Sequence, residues 1–123
     1  MGGSIIGAGA VFAAIAVALG AFGAHGLKDR LTQDMMDIYQ TAVQYQFYHA
    51  FALILLGLMV AQRGEGAGGA TAAWAFALGI LFFSGSLYVL VLTGTKWLGA
   101  ITPIGGVAFL VGWAMFAWAA FRS

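Results

Sequence analysis

The chain contains no cysteine, one proline and very little charge. Without cysteine there are no disulfides and no thiolate metal sites. Only 7% of the 123 residues are charged, against about 25% in an ordinary soluble domain. A soluble protein this small needs far more polar surface to cover its core. The net charge of +1 provides no basic field for nucleic acid and no acidic field for cationic partners. Proline is scarce while glycine is abundant, at 19 residues, in a chain that is 63% hydrophobic. That combination suits close helix packing rather than disorder, where both would accompany polar residues.

What is present is apolar and comes in blocks. Four runs, at about 4–24, 43–61, 70–92 and 102–121, are long enough to cross the roughly 30 Å hydrocarbon layer as helices. The first run lacks the basic n-region of a cleaved signal and is long for its apolar core, so it reads as a span. Gly3, Gly7, Ala10, Ala14, Ala18 and Ala21 recur through it at steps of three and four, a stripe on which a neighbouring backbone could pack closely. Gly20, Gly23 and Gly26 then interrupt the pattern, as a helix stop and as a place of close approach.

From about 27 to 41 the pattern turns amphipathic. Leu27, Leu31, Met35, Ile38 and Ala42 follow helical steps, with Lys28, Asp29, Arg30, Gln33, Asp34 and Asp37 off the stripe. This segment is too polar to span. The expectation is an interfacial helix at the bilayer surface or packed on the bundle end. The fold class expected is therefore all-α: an integral membrane four-helix bundle, single-domain over 1–123, with one amphipathic interfacial helix between spans 1 and 2. Gln62–Gly69 and Thr93–Ala100 read as the other turns, and Thr102 and Pro103 as N-cap and first residue of the fourth span. Lys and Arg are divided too evenly between the two sides to orient the protein.

The second span begins with an unusually polar stretch. Asp37, Gln40, Thr41, Gln44, Tyr45, Tyr48 and His49 fall within about half the helix circumference. Such a band should face protein or water, because unpaired polar groups in hydrocarbon cost several kcal/mol. Gln44, Tyr45, Tyr48, Ser84, Ser86, Tyr88 and Thr102 could form one interhelical network. It reads either as hydrogen-bonding glue or as a polar path. His25 and His49, the only histidines, each sit at the polar end of a span. They read as helix-fixing hydrogen bonders or as a shared ligand or proton-handling pair. No nucleophile elbow, phosphate-binding loop or metalloprotease signature is present. The reading assigns no catalytic residue, no metal and no cofactor.

Five segments come in a fixed order: GAFGAHGLK at 20–28, YQFYHA at 45–50, FSGSLY at 83–88, ITPIGG at 101–106, and then Gly112-Trp113. With them the chain resembles, over nearly its whole length, a small membrane family of unknown function. That family includes the bacterial YgdD and YwdK proteins and animal transmembrane protein 256. The resemblance implies a multi-pass protein of the bacterial cytoplasmic membrane or, in animals, an internal membrane, and carries no established reaction. The function expected is that of a non-enzymatic protein whose partners are the lipid bilayer and other membrane proteins. A homo-oligomer and a small ligand of unidentified chemistry are left open. The alternative is a minimal homo-oligomeric transporter or channel lined by Gln44, Tyr45, Tyr48, His49 and Ser84.

Overall fold

The computed structural model describes residues 1–64, 66 and 68–122. Four helical columns, each long and apolar enough to cross a membrane, run through it, and no strand occurs among the described residues. The first column is helix α1, Gly2–Phe22, extended by a π-helical turn over Gly23–Leu27. The second is α2, Gln33–Arg63, whose N-cap Thr32 accepts a hydrogen bond from the Met35 amide at 3.2 Å. The third is built in three parts: α3, Gly69–Gly79; a π-helical turn, Ile80–Ser84; and α4, Gly85–Thr93. A 3-10 turn, Lys96–Ala100, leads into the fourth column, α5, Thr102–Arg122.

The amphipathic segment expected as a separate helix at 27–41 is not separate. Residues 28–32 form the turn after α1, and everything from Gln33 onward belongs to α2. No glycine or proline lies between Gln33 and Leu56 to interrupt the hydrogen-bond ladder, so the amphipathic turns and the second span are one rod. At 31 residues it is about 46 Å long, so some turns extend beyond a hydrocarbon layer of about 30 Å. The apolar stripe of those turns does pack on the bundle end. Leu31, Met35, Met36 and Ile38 join Leu27, Tyr39, Leu90 and Val91 in a second core cluster.

Two further expectations are revised. Thr102 is the first residue of α5, and its hydroxyl bonds Ser86 instead of capping the helix. The helix does not stop at Gly20, Gly23 or Gly26 but continues to Leu27. The Gln62–Gly69 turn includes Glu65 and Ala67, which lie outside the described residues. After α4, Gly94 ends the column in the left-handed region at φ 73°, its amide reaching the Leu90 carbonyl at 2.7 Å.

Small residues set how near the columns come. A methyl group on Gly9 of α1 would sit 2.7 Å from the Ala50 carbonyl oxygen of α2. One on Gly105 of α5 would run into the backbone of Phe83, and one on Gly112 would lie 2.6 Å from the Phe76 ring. These distances are too short for any side chain, so glycine permits the contact. The packing stripe of α1 is not the one expected. Gly3, Gly7, Ala10, Ala14, Ala18 and Ala21 are all exposed. The face against α2 is Gly2, Ile5, Gly9, Phe12, Ala16, Leu19 and Gly23, in which small and large residues alternate. Alternation makes ridges and grooves, whereas a purely small stripe offers no ridge to interlock.

A candidate polar site inside the bundle

Packed against α1, the third column and α5, helix α2 buries Tyr39, Ala42, Gln46, His49, Leu53, Leu56 and Val60. These follow steps of three and four, one face of a helix. Three of them are polar-tipped, and each finds a partner on another column. Gln46, 2% exposed, donates to the Phe12 carbonyl of α1 at 2.8 Å and accepts from the Tyr88 hydroxyl of α4 at 2.7 Å. Tyr88 lies edge-on to Tyr39, with ring centroids 5.5 Å apart, and Tyr39 donates to the Leu19 carbonyl of α1 at 2.5 Å. These bonds tie α1, α2 and α4 together over about two helical turns.

The third column contributes two serines, Ser84 from its π-helical turn and Ser86 from α4. Ser84, fully buried, donates across to the Ala42 carbonyl of α2 at 2.7 Å. Ser86 donates to the Phe83 carbonyl at 2.9 Å and lies 2.6 Å from the Thr102 hydroxyl. A serine has one proton, so Thr102 is the donor between the two hydroxyls. Thus α2 is tied to the third column, and the third column to α5.

His49 sits in an aromatic cage. Phe109 stacks on its ring at 3.5 Å and 7°, with Phe76 and Trp113 each 5.8 Å away. Its Nδ1 lies 2.7 Å from the Tyr45 carbonyl and its Nε2 3.0 Å from the Trp113 indole nitrogen. A carbonyl only accepts and an indole N–H only donates, so the proton is on Nδ1 and Nε2 is the acceptor. Both ring nitrogens are used, and the ring faces are covered by hydrocarbon.

Among the described residues, no buried side-chain nitrogen or oxygen lacks a partner. No group of three or more His, Cys, Asp or Glu among them is placed to hold a metal ion. A groove of about 180 Å³ between α1 and the third column reaches the edge of the Gln46–Tyr88 pair; its walls include Phe12, Leu19, Ile80 and Leu81.

The family described as "Protein of unknown function (DUF423)" matches residues 19–106, the stretch holding Tyr39, Gln46, His49, Ser84, Ser86 and Tyr88. The chain belongs to the DUF423 family. It is 46% identical to the UPF0382 membrane protein YwdK of Bacillus subtilis, with 93% of each chain covered. It is 46% identical to the UPF0382 membrane protein SAB0533 of Staphylococcus aureus, covering 93% of this chain and 92% of that one. A Staphylococcus epidermidis UPF0382 membrane protein is 50% identical over 85% of this chain and 84% of its own. No solved structure matches. The fold is thus that of a membrane protein family without an assigned activity.

Of the candidates in this DUF423 chain, His49, Ser84, Ser86 and Tyr88 are buried or half-buried and bonded within the bundle. Tyr45 lies at the rim of the cage, its ring stacked on Phe83 at 4.6 Å and 6.1 Å from His49; the others are elsewhere. Gln44, Tyr45 and Tyr48 are exposed on α2, and no side-chain hydrogen bond joins them to any described residue. The band expected to face protein or water therefore points out of this chain's own bundle for most of its length, Asp37 and Gln40 included. Small side chains decide this. Ala42, Ala50 and Gly57 mark where neighbours come close, and that turns Gln46 inward and Gln44 outward. Nor do the histidines share a level. The antiparallel register set by Leu19–Tyr39 and Gly9–Ala50 puts exposed His25 about 20 Å from His49 along the axis.

Sequence reasoning missed Gln46, Tyr39 and Trp113. The signal for the first two was available in their spacing from Ala42 and His49 on one face. Trp113 is marked only by the Gly112-Trp113 segment, which does not give its role, because that depends on how α5 is docked.

Proposed function

We propose that this DUF423 protein is non-enzymatic and acts through contact with lipid and with other membrane protein, in the cytoplasmic membrane of a bacterium. One observation carries the reading. The interior polar side chains are bonded to one another and to backbone carbonyls across all four columns. Side chains that bind or pass a solute keep donors and acceptors free for it, and pumps keep ionisable groups at depth. Here those capacities hold the columns together, each bond contributing about 0.6 kcal/mol. The transporter alternative fits less well: of its five lining residues, Gln44, Tyr45 and Tyr48 are exposed, while His49 and Ser84 are bonded inward.

The test is flux. Purified protein in liposomes is challenged with a panel of monovalent ions, protons and small neutral solutes. The expected result is leakage equal to protein-free vesicles for every member. Flux of any one that depends on protein and disappears in Gln46→Leu would overturn the reading.

A further inference from the structure

The face of α2 opposite the buried one is bare. It presents Thr41, Gln44, Tyr48, Phe51, Leu55 and Leu58, all exposed except half-buried Thr41. This is the outer side of the helix that packs against all three others, and it is graded from polar to apolar along its length. Its polar part reaches below the flanking charges. Asp37 and Arg63 bracket the membrane-crossing portion of α2, with Lys96 and Trp97 near the first end and Arg122, stacked 5.1 Å over Trp118, near the second. Counted from Asp37, Gln44 is about 10 Å and Tyr48 about 16 Å along the axis, the latter well inside a hydrocarbon layer. Yet Tyr48 is 54% exposed, and neither its hydroxyl nor the Gln44 amide meets a hydrogen-bond partner among the described residues.

We propose that this face is the interface with a second copy of the chain, the two α2 helices packing side by side and parallel about a two-fold axis along the membrane normal. The inference rests on the contact-based reading above and names the partner. Acyl chains cannot cover Gln44 and Tyr48 without leaving donors and acceptors unpaired in hydrocarbon. A second copy supplies the missing groups at the same depth by symmetry. An amide and a phenol each both donate and accept, so Gln44 and Tyr48 pair with their own equivalents without a complementary surface. The gradient selects the direction. Parallel packing sets Gln44 near Gln44 and Leu58 near Leu58, whereas antiparallel packing would press amides against leucines.

The absence of cysteine makes the test direct. Full-length single-cysteine variants Phe51→Cys and Leu55→Cys are reconstituted in phosphatidylcholine vesicles and oxidised. Ala14→Cys on the exposed small-residue face of α1 and Leu110→Cys on α5 serve as rival faces. Because a disulfide needs Cα atoms within about 7 Å, only a true seam links efficiently. Disulfide dimer is expected from the α2 positions, at a yield that persists as lipid is added, and only at collisional levels from the other two. Adding Gln44→Leu to Phe51→Cys should weaken association about three- to tenfold, with the helical circular dichroism unchanged. No dimer beyond the rival faces, a dimer formed through Ala14→Cys or Leu110→Cys instead, or a yield indifferent to Gln44→Leu would each overturn the proposal. None of these results touches the flux test, which reports on the other reading alone.

Discussion

Gln44 and Gln46 stand two residues apart on one helix and about 160° apart around it. Gln46 is 2% exposed and bonded to two other columns; Gln44 lies on the outer surface and its amide side chain meets no hydrogen-bond partner among the described residues. His49 and Tyr48, adjacent in sequence, divide the same way. The difference teaches that a polar residue in a spanning helix is not by itself evidence of a polar interior. What places it inside is the size of its neighbours. On the Gln46 face Ala42, Ala50 and Gly57 let other backbones approach closely enough for an amide to reach a carbonyl. On the Gln44 face the neighbours are Phe51, Leu55 and Leu58, which hold any partner at side-chain distance.

The largest expected effect comes from filling one of those approaches. A side chain on Gly57 would start 2.6 Å from the Ile6 side chain and 2.9 Å from the Gly2 carbonyl oxygen. Gly57→Val should therefore destabilise the protein by about 3 kcal/mol, since a backbone contact cannot yield as a side chain can. Leu58→Val, one residue on and outward, should change stability by less than about 0.5 kcal/mol. Reversible unfolding in detergent micelles measures both. Equal losses would mean that the two faces do not differ in packing.

The sequence made the columns legible because the requirement there is local: an unbroken apolar run of sufficient length. It also showed the amphipathic stripe at Leu31, Met35 and Ile38, which does pack on the bundle end. It did not show that this stripe continues into the second span, because a change in side-chain polarity does not interrupt the backbone hydrogen-bond ladder. Half of the interior site could be read from residue type: Ser84, Ser86, Tyr88 and His49. Gln46 and Tyr39 could be read only from spacing, because grouping α2 by its polar residues gives a face centred near Gln44, whereas grouping it by its small residues gives one centred near Gln46. The π-helical turn at Ile80–Ser84, which carries Ser84 toward Ala42, has no local signature in ILFFS.

The second comparison is between the two glutamines themselves. Gln46→Leu removes bonds to Phe12 and Tyr88 and leaves the half-buried Tyr88 hydroxyl without its acceptor. The loss expected is about 2 kcal/mol, larger than the bonds alone because a stranded donor is costly. Gln44→Leu should leave the monomer in detergent unchanged within about 0.5 kcal/mol. Should Gln44→Leu prove as damaging to the monomer as Gln46→Leu, the exposed assignment of Gln44 would be wrong.

The smallest effect, and the most specific, concerns His49 and Tyr48. Trp113→Phe keeps an aromatic ring in the cage and removes one N–H donor, leaving Nε2 of His49 facing hydrocarbon alone. The stability loss should be about 1 kcal/mol, against a few tenths for Tyr48→Phe in the monomer. Stability is the weaker readout here, because the indole also packs on Phe76 and Phe116. The imidazole nitrogens provide a sharper one. In the native protein the Tyr45 carbonyl and the Trp113 N–H hold the ring in a single Nδ1–H form, so nitrogen-15 resonances of His49 should report one tautomer. With Trp113 gone, only the carbonyl still distinguishes the two nitrogens, and the Nδ1–H form should persist because that bond remains. Tyr48→Phe should move neither resonance. Mixed tautomers in the native protein, or a loss of the Nδ1–H form in Tyr48→Phe, would show that the two faces of α2 are not independent.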